Sequence, residues 1–126
     1  PGVFIPASAD GMEYLDGGLV SPLPVATARK LGAEMVVAVD VGGADPTSDD
    51  GHGLYNLLLR SFEIMGQALR KREAADADIV IRPDVARISS TDFAARKALI
   101  ALGQQAGARL LPVIREKLAT PPKRRS

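Results

Sequence analysis

The sequence predicts an α/β fold, a three-layer α/β/α arrangement around a mainly parallel sheet. Three observations carry this expectation. Residues 34–41, EMVVAVDV, and 78–82, DIVIR, are short apolar runs rich in Val and Ile, the pattern of strands buried on both faces. Residues 54–73 and 93–118 instead repeat apolar side chains at helical spacing. Strand and helix alternate along the chain, as parallel strands joined by crossover helices require.

Taken in order, residues 1–9 read as loop, with Pro6 among small side chains. Residues 12–15 predict a short strand, a hairpin arm, closed by Asp16-Gly17-Gly18. Pro22 and Pro24 keep 19–24 irregular. Residues 25–31 form a short helix, with Pro24 suited to its first turn and Gly32 to its C-terminal cap. The strand 34–41 follows, then a loop over 42–53 rich in Gly, Asp, Pro and Ser. In the helix 54–73, Leu54, Leu57, Leu58, Ser61, Phe62, Met65 and Leu69 define one buried face. The strand 78–82 is stopped by Pro83, and 84–90 is loop. Ser90 or Thr91 caps the last helix, with Asp92 near its positive end. That helix buries Leu99, Leu102, Ala106, Leu110, Val113 and Ile114, and Pro112 predicts a kink. The chain divides into one structured part, 1–118, and a basic disordered tail, 119–126.

The strand count falls short of this fold. Two doubly buried strands need neighbours along their edges, and the chain supplies at most three strands. An edge strand as apolar as MVVAV invites aggregation. More sheet is therefore expected, in an N-terminal part of the protein or in a partner chain.

Composition removes several function classes. Among 126 residues, 16 Lys and Arg oppose 15 Asp and Glu, for a net charge of +1. Without Lys123, Arg124 and Arg125 the balance is thirteen against fifteen, a net of −2. A body of that charge lacks the basic face that nucleic acid requires, so no nucleic-acid partner is expected. Cysteine is absent and His52 is the single histidine, which excludes a thiolate nucleophile and a multi-His metal site within these residues. No run approaches the ~20 apolar residues of a membrane span. A cytoplasmic protein, peripheral at a membrane surface at most, fits these features.

The most informative stretch is 16–40, DGGLVSPLPVATARKLGAEMVVAVD. Asp16 ends a short strand, and two glycines allow positive φ while leaving the carboxylate uncrowded. A carboxylate at a strand end of an open α/β sheet lies where such folds hold ligands. Asp-Gly is equally a hairpin signal, so the motif by itself is also compatible with a plain turn.

The wider string narrows the choice. PGVFIP, DGGLVSPLPV, ARKLGAEMVVAVDV and ADIVIRPDVARISSTDF, in that order, resemble the patatin-like phospholipase family. The likeness is greatest to its bacterial members and to relatives of neuropathy target esterase, and it extends from residue 1 to about 118. The resemblance implies a serine acyl hydrolase with a Ser-Asp dyad, a G-x-S-x-G nucleophile elbow and a glycine-rich oxyanion loop. It assigns Asp16 as the general base, with Gly17 and Gly18 completing its motif. Ser21 stands where many members have asparagine before P-L-P. No G-x-S-x-G and no oxyanion loop occur in these residues. The chain therefore reads as the C-terminal portion of such an enzyme, inactive alone, whose serine lies in an N-terminal part. A lipid or other ester is the expected substrate, a transient membrane surface the expected partner, and no metal or cofactor is expected.

The dyad chemistry is coherent in physical terms. The serine hydroxyl needs a base within about 2.6–3.2 Å, and burial beside apolar substrate strengthens a carboxylate as that base.

Other residue groups carry weaker signals. His52 lies in an Asp-Gly-rich loop and reads as a solvated histidine, which a dyad does not need. Asp45, Asp49 and Asp50 miss calcium-loop spacing. Asp40-Val41-Gly42-Gly43 looks like a phosphate-holding glycine turn after a strand. Leu57, Leu58 and Phe62 read first as core and second as lining for an acyl chain. Two alternatives to the hydrolase stay open: a non-enzymatic α/β interaction module, and a phosphate or nucleotide binder through 40–43.

Overall fold

A β-hairpin opens the structure, a computed structural model that describes residues 5–42, 53–86, 88 and 92–120. Strands β1 (Ala7–Ala9) and β2 (Met12–Tyr14) pair antiparallel, with Ala9 opposite Met12. Asp10 and Gly11 make the two-residue loop, with φ of 52° and 74°. Positive φ at both positions is a type I′ turn, whose twist matches that of the strands, and Asp-Gly is a favoured pair for it. Of the loop expected over 1–9, Ala7–Ala9 is a strand instead, and the hairpin turn is at Asp10-Gly11.

Helix α1 (Val25–Lys30) and strand β3 (Val37–Val39) follow. Gly32 has φ of 96°, a left-handed conformation that lets the chain leave the helix. Helix α2 (Leu54–Ala74) then leads to strand β4 (Ile79–Ile81), and helix α3 (Arg96–Ala119) closes the described chain. Strands β3 and β4 pair in parallel, with Val37 opposite Ile79 and Val39 opposite Ile81. The parallel crossover read from the sequence is therefore present, and the order of elements fits an α/β protein. The described residues hold four strands in two separate ladders, where at most three strands were expected.

The period of two along the strands sorts their side chains. Ala38 and Val36 are buried with Leu23, Val25 and Ala74, and Val80 packs against this cluster. On the opposite face Ile79 and Ile81 are buried with Ala106, against Met35, Leu110 and Ile114. Helices thus lie against both faces of β4. The expectation of double burial fails for β3, because Val37 and Val39 are 37% and 50% exposed. Helix α3 packs on β4.

Helix α2 departs further from expectation. Leu54, Leu57, Leu58, Phe62 and Met65 are exposed rather than buried. The helix turns Ala74 inward, with Arg70 and Glu73 half-buried beside it. In α3, Ala106 is buried and Leu99, Leu102, Leu110 and Ile114 are half-buried, as the periodicity predicts, while Val113 is exposed. The helix continues through Pro112, so the missing N–H removes one backbone bond without ending it. Its start is set by Asp92, whose Oδ1 accepts from Ala94 N and Ala95 N at 3.0 and 3.2 Å over a 3₁₀ turn, Phe93–Ala95. The capping expected of Ser90 or Thr91, and the tail beyond Thr120, lie outside the described residues.

One arginine ties the two parallel strands together. Arg29 Nη1 donates to Ala33 O and Glu34 O at 3.2 and 2.7 Å. Its Nη2 donates to Asp76 O at 3.4 Å and pairs with Asp78. Asp78 also accepts from Val36 N at 2.8 Å. That bond above all, with Arg29 also contributing, holds its carboxyl below the ordinary value against the opposing effect of burial.

Candidate functional site

Asp16 follows the hairpin and begins a 3₁₀ turn, Gly17–Leu19. Its Oδ1 accepts from Gly18 N at 2.8 Å, so the carboxylate caps its own turn. Leu19 N donates to Asp16 O, and Val20 N and Ser21 N both donate to Gly17 O, at 3.2, 3.1 and 2.9 Å. The chain after the motif does not return as a strand. The sequence alternative of a hairpin turn at Asp16-Gly17-Gly18 is thereby corrected, since the hairpin is completed upstream.

The expected use of the glycines is also corrected. Among the described glycines, positive φ occurs at Gly11 and Gly32, and neither Gly17 nor Gly18 shows it. Gly18 serves a steric purpose instead, because a Cβ there would stand 3.1 Å from Asp16 Oδ1. That is closer than ordinary van der Waals contact, so glycine keeps the capping carboxylate in place. A Cβ at Gly17 would meet open space.

The turn is anchored from α2. Ser21 Oγ donates to Glu73 Oε1, and Leu23 N donates to Glu73 Oε2 at 2.8 Å. Pro22 and Pro24 have no N–H, so Leu23 offers the one backbone donor of that stretch. Leu23 and Val25 are themselves buried, which fixes the downstream end. Asp16 is exposed, so hydrogen bonds rather than packing define its position. Nothing in residue spacing pointed to Glu73, because it lies 50 and 52 positions from its partners.

The remaining predicted residues fall elsewhere. Leu57, Leu58 and Phe62 are 62%, 50% and 43% exposed. They occupy the first half of α2, whereas Glu73 is at its end, roughly 16 Å from Phe62 along the axis at ~1.5 Å per residue. The sequence placed Asp16 at a strand end of the open sheet. Its strand belongs to the hairpin instead, and Asp40 and Arg82 follow the ends of β3 and β4.

Asp40 is surrounded by internal partners. Its Oδ1 faces Arg70 Nε and its Oδ2 faces Arg82 Nε, both at 3.4 Å, and Gly42 N donates to Oδ1 at 3.2 Å. Arg70 covers Gly42 so closely that a Cβ there would lie 2.1 Å from its Nε. The Gly42 N–H that a phosphate turn would use is thus directed at Asp40. A cavity of about 180 Å³ is lined by Pro22, Leu23, Val39, Asp40, Val41, Gly42 and Arg70. It is smaller than the ~300–1,000 Å³ usual for a small-molecule site. Gly43, Asp45, Asp49, Asp50 and His52 lie outside the described residues. Among the described residues no three His, Cys, Asp or Glu side chains gather as a metal site, and no helix is long and apolar enough to cross a membrane.

Comparison with known proteins adds the remaining information. No family model matches the chain. It is 28% identical to the lysophospholipase NTE1 of Yarrowia lipolytica over 91% of this chain and 10% of that protein. It is 40% identical to the human patatin-like phospholipase domain-containing protein 6 over 64% of this chain and 5% of that protein. With the rat patatin-like phospholipase domain-containing protein 7 it shares 43% identity over 35% of this chain and 3% of that protein. The chain thus spans a tenth or less of the length of these curated relatives. These similarities support the patatin-like phospholipase family for this chain.

Proposed function

We propose that this chain is the C-terminal part of a patatin-like catalytic domain that hydrolyses carboxylic esters of lipids, with Asp16 as general base. The observation that carries the proposal is the Asp16-Gly17-Gly18 turn, a carboxylate held by Gly18 N–H in a loop with no return strand. The likeness to lysophospholipases supports the substrate class. The serine is supplied by an N-terminal part of the same protein, because these residues contain no G-x-S-x-G. That part also covers the apolar side chains that β3 and α2 expose, among them Leu57, Leu58 and Phe62. The protein works in the cytoplasm and meets its lipid at a membrane surface.

In this reaction the serine hydroxyl passes its proton to Asp16 as Oγ bonds to the ester carbonyl carbon. Backbone donors from the N-terminal part stabilise the oxyanion. The intermediate collapses, the alcohol leaves with a proton, and an acyl-enzyme remains. Water, deprotonated by the same carboxylate, then releases the fatty acid.

The test is Asp16→Asn in the full-length protein. The amide keeps an oxygen for Gly18 N–H, so the turn survives. It cannot take the serine proton, and kcat/KM on a soluble ester should fall about 10²–10⁴-fold. Wild-type turnover in a normally melting Asp16→Asn protein would remove the assignment.

A further inference from the structure

We propose that Glu73 is a positioning residue for the Asp16 carboxylate, acting through Ser21; the inference rests on the general-base reading of Asp16. The Asp16 turn has no buried residue of its own. Its internal bonds, from Gly18 N, Leu19 N, Val20 N and Ser21 N, fix its shape. Glu73 ties the chain that follows it to α2. One carboxylate oxygen accepts the Ser21 hydroxyl, and the other accepts Leu23 N at 2.8 Å. Ser21 N in turn donates to Gly17 O at 2.9 Å, and Gly17 adjoins Asp16. Two donors on one strand of chain thus converge on one carboxylate of α2.

The residue type follows from that geometry. Only an ionised carboxylate offers acceptors on both oxygens. Glutamine can keep both contacts, its oxygen accepting Leu23 N and its amide N–H₂ donating to the Ser21 hydroxyl, whereas alanine leaves both donors without an acceptor. Aspartate is one methylene too short to span to both from the same helix position. Position matters here because a general base works within a narrow reach of the proton it takes. A displacement of about 1 Å at a catalytic group can cost about 10²-fold in rate.

The experiment uses the full-length protein with a short-chain nitrophenyl ester, reading kcat, KM and a thermal melt. The variants are Asp16→Asn, Glu73→Ala, Asp16→Asn with Glu73→Ala, Ser21→Ala and Ser21→Thr. Glu73→Ala should lower kcat about 10–100-fold, with KM within about two-fold. Ser21→Ala should move kcat the same way, and Ser21→Thr, which keeps the hydroxyl, should restore it. The double variant should be within about two-fold of Asp16→Asn alone, since residues acting as a unit are not additive. Wild-type kcat in Glu73→Ala beside an inactive Asp16→Asn would overturn the positioning role and leave the general base standing. Losses that multiply in the double variant would also overturn it. Full activity in Asp16→Asn would instead sink the general-base reading itself. Should Glu73→Ala fail to fold, Ser21→Ala decides: a lowered kcat rescued by Ser21→Thr supports the role, and an unchanged kcat defeats it.

Discussion

Replacing Asp78 tests how the two parallel strands are held in register. Its carboxylate accepts from Val36 N at 2.8 Å and pairs with Arg29. Val36 is buried, so in Asp78→Ala its N–H loses a charged acceptor in a place with little water. Such a bond contributes about 1.5–3 kcal/mol. The ion pair joins two side chains each 27% exposed, and at that exposure it adds about 0.2–1 kcal/mol. Arg29 keeps its carbonyl acceptors on Ala33, Glu34 and Asp76, so it is not stranded. The expected loss is therefore about 2–4 kcal/mol. Asp78→Asn, which keeps one acceptor oxygen, should lose about half of that. The pH dependence has a definite sign. Val36 N–H first, then Arg29, hold this carboxyl below the ordinary aspartate value. A group depressed in the folded state stabilises above its unfolded pKa, and the stabilisation disappears as pH falls through the folded value. The gap between wild type and Asp78→Asn should thus be full at neutral pH and narrow below about pH 4. Urea midpoints at neutral and acid pH measure both quantities. A neutral-pH difference under about 0.5 kcal/mol, or a gap that does not close in acid, would refute the reasoning.

Four further outcomes are expected. Gly18→Ala puts a Cβ 3.1 Å from Asp16 Oδ1, so the carboxylate must shift, and ester turnover should drop about ten-fold while the melt changes little. Gly11→Ala forces alanine into φ of 74°, which should cost about 1–2 kcal/mol in a denaturation curve. His52→Ala in the full-length enzyme should leave kcat/KM within a few-fold, and a loss of about 10³ with the fold intact would place it in a triad. The 126-residue chain alone should not hydrolyse a nitrophenyl ester, because it holds no G-x-S-x-G serine; turnover abolished by Asp16→Ala would point to a different nucleophile.

Local chemistry was legible without coordinates. The Val-rich runs at 34–41 and 78–82 announced β3 and β4, and helical spacing announced α2 to within a residue at its ends and α3 to within three, its expected first turn being the 3₁₀ turn Phe93–Ala95. The helix stop at Gly32 was equally plain, since a left-handed residue after a helix favours glycine. Asp10-Gly11 carried a hairpin signal as strong as the one assigned to Asp16-Gly17, and attention to it would have found β1. These features depend on neighbours a few residues apart, whose preferences the chain expresses wherever it lies.

What spacing could not convey was which faces meet. The apolar stripe of α2 has the pattern of a core face, yet the helix packs through Arg70, Glu73 and Ala74 and exposes Phe62. Val37 and Val39 have the composition of a doubly covered strand, yet both are exposed, while α3 packs on β4. Asp16 could be named from its motif. Its place depends on Glu73, 52 positions beyond Ser21, and on Leu23 anchored in the core. Periodicity states what a segment is able to bury. Burial itself, and the pairing of a donor with an acceptor fifty residues away, follow from how the elements stack, because each depends on surfaces that distant parts of the chain bring together.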